Sequence, residues 1–538
     1  MVAESQALLS SQGNQHAYTL MSDTDIDEPE AQISQPENHH HRIDDDILPE
    51  TATYGRNLGW SSAYILVISR VVGSGIFATP GSIFKSAGSI GLTVLLWVVG
   101  TIVGGVSLAV SMELGCAMPR SGGDKVYLEY TYRHPRFLAS TLIAVQAVLL
   151  GFSASNCIIF SKYTLFAFNV QASELQSKLL AATLLTVVTL IHGRFRKVGV
   201  SVQDVLGWVK IFLVLAMCFT GIWVIAFGHN GSVDQGNSRD GTAYESTGGL
   251  SLSWDEIWRD SNWSWGLLST SLFKVFYSYA GLSNVNNVLN EVRNPVRTLK
   301  TVCPAALLTA CALYLLANIS YFLVIPMDEI KSSGELVGAL FFERVFGLHV
   351  GRILFPLAIA ISAAGNVMVV TFALVSDFSS LLINSIKVVI IHGSLTYGNA
   401  NKSKARVNQE IARQGFLPFS RLLSSSRPFN SPLGGLFVHY VPSVLVIMLP
   451  PQGDVYNFIL DVEGYPAQIF GLAVSAGLLV LRYREPDLPR PFKAWLPAVW
   501  LRILVSLALL AAPFFPPPEG KGDVGFFYAT YAIVGVGM

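Results

Sequence analysis

Val72-Gly73-Ser74-Gly75-Ile76-Phe77, followed by Pro80-Gly81, lies inside an apolar run that begins at Trp60. A helix in lipid must satisfy its own backbone polar groups, because hydrocarbon offers no partner. Two glycines flanking a serine therefore have one of two explanations. Either they let a neighbouring helix pack closely, or the helix unwinds there, mid-membrane, and starts again. Unwinding turns the amides of the second half-helix toward a space where the positive dipole end favours an anion such as a carboxylate. From this segment alone both readings stand. A second stretch decides between them: Phe276-Tyr277-Ser278-Tyr279-Ala280-Gly281-Leu282-Ser283, then Asn284, Asn286, Asn287, Asn290 and Glu291. It carries too many small and polar residues for a helix that faces lipid. Two interrupted helices five segments apart are what an inverted-repeat transporter predicts, with its site at the midplane between discontinuous helices one and six. Free amides at one break and free carbonyls at the other suit the two ends of a zwitterion, which means an amino acid.

The rest of the chain fits this reading. Of 538 residues, 51% are hydrophobic and 13% charged, with a mean hydropathy of +0.47. Soluble domains carry about 25% charged residues, so the composition is that of a polytopic membrane protein. Segments long enough to cross about 30 Å of hydrocarbon fall at 60–83, 91–114, 137–164, 179–195, 200–228, 263–292, 301–326, 350–374, 433–450, 454–482, 494–515 and 524–538. The expected fold is all-α, with about twelve transmembrane helices: a 5+5 inverted repeat with discontinuous helices 1 and 6, plus helices 11 and 12.

A formal net charge of zero conceals an asymmetry. Residues 1–50 hold eleven acids and one base, Arg42, and the remaining 35 bases and 25 acids give the rest of the chain a net +10. Residues 1–55 have no apolar periodicity and are expected to be a disordered acidic tail. No cleaved signal is expected at its start. His39-His40-His41 lacks partner ligands and reads as a solvated polar run. With this tail in the cytoplasm, the bases Arg120, Lys125, Arg133, Arg136, Arg194, Arg196, Lys197, Arg293, Arg297, Lys300, Arg482, Arg484, Arg490 and Lys493 fall on the cytoplasmic side, as the positive-inside rule requires. The external loop 229–262 contains two formal glycosylation acceptors, Asn230 and Asn262. Five scattered cysteines form neither a disulfide framework nor a metal site and read as small buried hydrophobes.

Several motifs resemble one known family. Arg70 to Phe77 resembles the helix-one signature of the amino acid–polyamine–organocation superfamily. Glu113-Leu114 with Pro119-Arg120-Ser121-Gly122-Gly123-Asp124 resembles its elbow between segments two and three, Glu291 to Pro295 its helix-six exit, and Arg406 to Pro418 its loop after segment eight. The pattern is most similar to the L-type amino acid transporter branch, and within it to fungal high-affinity methionine permeases, over roughly 56–374 and 403–538. This resemblance implies that Ser74 and Gly75 bind the substrate carboxylate. It also implies that Val71, Val72, Tyr277, Ser278 and Ala280 present carbonyls to the ammonium, with Gly73 and Tyr279 completing the site. Tyr277 stands where relatives have an aromatic that closes over the substrate. The implied plasma-membrane function is amino acid permeation by alternating access, with methionine favoured.

Lys210, about three turns into the fifth segment, is costly in lipid and should face protein or water. One reading has it snorkelling to the cytoplasmic interface. The other, supported by the resemblance, puts its ammonium where related folds bind a coupling sodium ion, between helices one, five and eight. That implies a sodium-independent transporter, proton-coupled or exchanging. Asp461 and Glu463 either carry protons or sit at an external helix break beside Gly464 and Pro466, the second reading being favoured. Trp208, Trp223, Trp263 and Trp265 read as interface anchors.

Two departures concern the domain plan. Residues 375–402 are an insertion relative to the family pattern, too polar and short to span, and segment twelve ends early. Val375-Ser376 and Gly537-Met538 can both be encoded by splice-donor sequence, so retained intron sequence is expected. The transporter domain otherwise runs over 56–538. No nucleophile–base motif, phosphate loop or metal-ligand spacing appears, which argues against an enzyme, a cofactor or a metal. The expected partners are an amino acid, protons and the lipid bilayer, with no nucleic acid. The alternatives are an amino acid sensor of the same fold and an exchanger of broader neutral specificity.

Overall fold

The computed structural model describes residues 58–120, 122–135, 153–194, 212–223, 253–368, 370–371, 433–449 and 455–515, with isolated residues at 142, 143, 146, 530, 532, 533 and 536. The acidic tail, Asn230, Lys210, Trp208 and the insertion 375–402 lie outside the described residues, and segment 524–538 is described only at isolated positions.

The first segment is two helices. α1 (Trp60–Val71) ends because Val72 turns to extended backbone, with φ −71° and ψ 94°. α2 (Gly75–Ala87) starts three residues later and closes on Gly88, whose φ of 82° gives the left-handed C-terminal turn. α3 (Ile90–Ala117) opens on Ser89, whose Oγ accepts from the Leu92 amide. It is followed by α4 (Asp124–Thr131), α5 (Ala154–Ala167), α6 (Glu174–Arg194), α7 (Phe212–Trp223) and the short α8 (Trp254–Ile257).

The sixth segment begins as α9 (Trp265–Ser278) and is then interrupted. Turns over 279–283 lead into a 3₁₀ run, Asn284–Glu291, in which Val288 leaves helical geometry at φ −125° and ψ 23°. Asparagine side chains compete with the backbone for hydrogen bonds. Here Asn287 Nδ2 donates to Asn284 Oδ1 at 3.1 Å, and Asn286 Nδ2 donates to the Ser111 carbonyl of α3 at 3.2 Å. The exit pairs with the start of α1 through the Arg293 amide and the Leu58 carbonyl, 2.8 Å apart.

α10 (Pro295–Val324) starts ahead of the expected 301, because Pro295 needs no amide partner in a first turn. Then come α11 (Met327–Ser333), α12 (Val337–Phe346), a helical continuation over 347–368 with wider turns at Gly347–Leu354, α13 (Leu433–Met448), α14 (Val455–Arg484) and α15 (Leu496–Ala511). Among the described residues, six helical stretches are long and apolar enough to cross a membrane, and the one extended pairing is an isolated bridge between Leu58 and Val292. The chain is an all-α polytopic membrane protein.

One expectation is corrected. α14 runs unbroken through Gly464 and Pro466, so Asp461 and Glu463 do not flank a helix break. Proline removes one ladder hydrogen bond, and in a packed membrane helix the neighbours tolerate that loss.

A fully buried carboxylate locks the scaffold at the far end of α3. Glu113 accepts from Arg482 Nε at 2.9 Å, from Arg482 Nη2, and from the Ala494 amide at 2.7 Å. Arg490 Nε stands 3.6 Å away. These bonds tie α3 to α14 and to the segment leading into α15. The five thiols are free, and four of them are buried.

Candidate functional site

The two helix interruptions face each other. A Cβ on Gly75 would meet Ser278 Oγ at 2.8 Å and the Ser278 α-carbon at 3.2 Å, so the start of α2 and the end of α9 approach as closely as a missing side chain allows. Thr79 Oγ1 donates to the Gly75 carbonyl at 3.0 Å and lies 3.1 Å from Ser278 Oγ, which bridges the two. Beyond the second break, Gly281 has a φ of 103°, a conformation that side-chain-bearing residues rarely adopt. It lies against Arg70, whose Cγ would be 2.5 Å from an added Cβ.

Ser74 occupies the N-cap of α2 but makes no capping hydrogen bond. Its Oγ donates instead to Asn156 Oδ1 of α5 at 2.8 Å. The Gly75 and Ile76 amides therefore have neither an intrahelical carbonyl nor a side-chain cap, at the end of the helix where the dipole is positive. Asn366 Nδ2, from the 347–368 helix, also reaches Asn156 Oδ1 at 3.3 Å and would lie 3.3 Å from a Cβ on Gly73. Segments one, three and eight thus meet at the first break.

Carbonyls mark the other pole. The α1 carbonyl Val71 O and the α9 carbonyl Ser278 O each lie 2.8 Å from the hydroxyl of Tyr314 on α10. A phenol has one proton, so a single donor is shared between one carbonyl from each break. Tyr314 is fully buried and packs with Trp97 and Tyr279, at centroid distances of 5.5 Å and 5.0 Å.

The remaining sequence-predicted residues divide by position. Val71, Val72, Ser74, Gly75 and Ser278 are buried at the two breaks. Tyr277 turns its hydroxyl to Ser155 Oγ of α5, 3.3 Å away. Tyr279 reaches α3, where its hydroxyl meets Thr101 Oγ1 at 2.7 Å. Ala280 is exposed, and its amide donates to the Tyr277 carbonyl. Residues that sequence reasoning missed include Ser155, Asn156, Tyr314, Asn366 and the fully buried Lys274 of α9. Their signal is a polar residue inside an apolar segment, the same signal that singles out Lys210.

The arrangement offers amides at a helix start and carbonyls at helix ends across one narrow gap. A family model described as amino acid permease matches residues 58–385 and 388–538. The chain is 32% identical over 491 residues to the low-affinity methionine permease of Saccharomyces cerevisiae, covering 89% of this chain and 81% of that protein. It is 33% identical over 470 residues to the high-affinity methionine permease of the same yeast, covering 87% and 74%. It is also 24% identical over 477 residues to the human b(0,+)-type amino acid transporter 1, covering 87% and 85%.

Proposed function

This chain belongs to the amino acid permease family, and from that premise we propose that it is a secondary transporter that carries L-methionine across the plasma membrane by alternating access. The observation that carries this reading is the pair of opposed helix breaks, with uncapped amides at Gly75 and Ile76 and with Val71 and Ser278 carbonyls held by one hydroxyl. The substrate carboxylate sits on the Ser74–Gly75 amide end, and the ammonium among the carbonyls of Val71, Val72, Tyr277, Ser278 and Ala280. Gly73 keeps the first break narrow, Tyr277 closes over the bound solute, and Tyr279 braces the second break against α3. Methionine is favoured because two similar yeast proteins carry it in their names.

Transport is independent of sodium and coupled to protons, with Lys210 supplying a fixed positive charge where a coupling cation would otherwise bind. The tail 1–55 is cytoplasmic and precedes the transporter domain 56–538, within which 375–402 is an insertion. The deciding experiment is uptake of radiolabelled methionine by a methionine-requiring yeast that lacks its own methionine permeases, with a competition panel of amino acids and with sodium or a proton gradient withheld in turn. Saturable uptake at external acid pH, unaffected by sodium, is expected. Binding without flux would make the chain a sensor and refute transport.

A further inference from the structure

An ionisable side chain inside a membrane helix is costly and needs a reason, and α14 keeps one that the two breaks do not use. Glu463 stands eight residues past the start of α14, about 12 Å along it. Its Oε1 is buried and, among the described residues, has no hydrogen-bond partner. Buried polar atoms are nearly always paired.

Packing places this carboxyl beside the breaks. A Cβ on the next residue, Gly464, would lie 3.0 Å from Phe273 Cβ of α9. Phe273 and Tyr277, four residues apart, share one face of that helix. The titratable groups within electrostatic reach of Glu463 are Arg70 at the end of α1, Tyr277 on α9, and Tyr456 two turns earlier on α14. Lys274 of α9 and Asp461 of α14 are buried and each have an interaction partner. The other helices packed on α14 spend their charges elsewhere. Lys162 of α5 bonds Glu335, Glu113 of α3 bonds Arg482, and Asp124 of α4 lies in the field of Arg502 on α15, which bonds Gln468. Arg70 is therefore the cation that faces Glu463. It is exposed, it lies against Gly281 at the second break, and it immediately precedes Val71, whose carbonyl belongs to the site.

We infer that Glu463 is the group that carries the coupled proton. This rests on the reading of the chain as a proton-coupled permease and deepens it by giving the proton one carboxyl. A proton from external water forms an O–H bond with the Glu463 carboxylate. After the loaded carrier reorients, that bond breaks and the proton passes to water on the cytoplasmic side, with no electron transferred. A guanidinium close to a carboxylate favours its ionised form, and exclusion from water favours the neutral one. Because α1 carries both Arg70 and the Val71 carbonyl, a shift of α1 changes the charge facing Glu463 and the grip on the solute together.

The full-length chain in proteoliposomes, acid outside and with the membrane potential clamped at zero, tests this. A gradient of about one pH unit should let the wild type accumulate methionine about tenfold, at one proton per solute. Glu463→Gln cannot release a proton there and should show no accumulation, while exchange of external labelled for internal unlabelled methionine continues. Glu463→Asp keeps a titratable group and should accumulate. Tenfold accumulation by Glu463→Gln overturns the assignment and leaves proton-coupled transport standing. If the glutamine variant fails in both assays, accumulation by Glu463→Asp upholds the assignment, and failure of the aspartate variant too overturns it as a packing effect. A wild type that exchanges but does not accumulate removes proton coupling itself, and this assignment with it.

Discussion

Adding one methyl group at the first break is the sharpest test of the site. In Gly75→Ala the new Cβ would stand 2.8 Å from Ser278 Oγ, 3.3 Å from Ser278 Cβ and 3.2 Å from the Ser278 α-carbon. Comfortable separation between carbon atoms is about 3.5–4.0 Å. Rotating Ser278 Oγ away relieves only the first clash, and it gives up the bonds to the Lys274 carbonyl and to Thr79, both 3.1 Å. The clash with the α9 backbone remains, so α2 and α9 must part by about 0.3–0.8 Å, the shortfall from ordinary carbon spacing. Overpacking of this kind costs about 1–3 kcal/mol. Spent on the geometry of a site that needs both breaks at once, that corresponds to about a 5- to 150-fold loss of apparent affinity. Uptake kinetics with surface abundance measured in parallel should show a raised KM at normal membrane levels. Gly75→Val, with two more methyl groups, should abolish uptake without blocking membrane insertion. Adding Ser278→Gly to Gly75→Ala removes two of the three clashes and should restore part of the affinity. Wild-type kinetics in Gly75→Ala, or in Gly75→Val, would refute the claim that the two breaks form the site.

Tyr314→Phe strips the shared donor from Val71 O and Ser278 O; leaving such buried acceptors unsatisfied costs about 1–3 kcal/mol. Its melting temperature in detergent should fall and its uptake should weaken, and an unchanged melting curve would refute a stabilising role for the shared hydroxyl. Glu113→Gln uncouples the buried carboxylate from Arg482, and breaking a buried pair costs about 3–5 kcal/mol. The variant should lose thermal stability and surface abundance, with KM unchanged in the molecules that remain. Lys210→Ala should lose transport while still reaching the membrane; unaltered kinetics would favour a lysine that merely snorkels to the interface. For residues 375–402, transcript sequencing should recover a spliced message without them, and a spliced message that keeps them would refute the intron reading.

The two breaks are legible in the sequence because their cause is local. Glycine and serine at 73–75, and the run from Ser278 to Asn290, weaken helix wherever they stand, and lipid forbids unexplained weakness. Lys274 and Tyr314 are equally visible as letters, yet their roles are not. Apolar neighbours on either side conceal whether a single polar residue faces the interior. The continuity of α14 across Pro466 is hidden for a related reason: proline reports a missing hydrogen bond, and packing decides whether the helix survives it.

The sequence by itself determined that the chain spans a membrane and where two of its helices come apart, since hydropathy and backbone satisfaction act within one segment. Only the tertiary structure decided that these interruptions meet, that one tyrosine hydroxyl lies between their carbonyls, and that Asn156 takes the serine that would have capped α2. The Ser74–Asn156 and Val71–Tyr314 bonds join residues 82 and 243 positions apart, and no local rule ranks one distant partner above another.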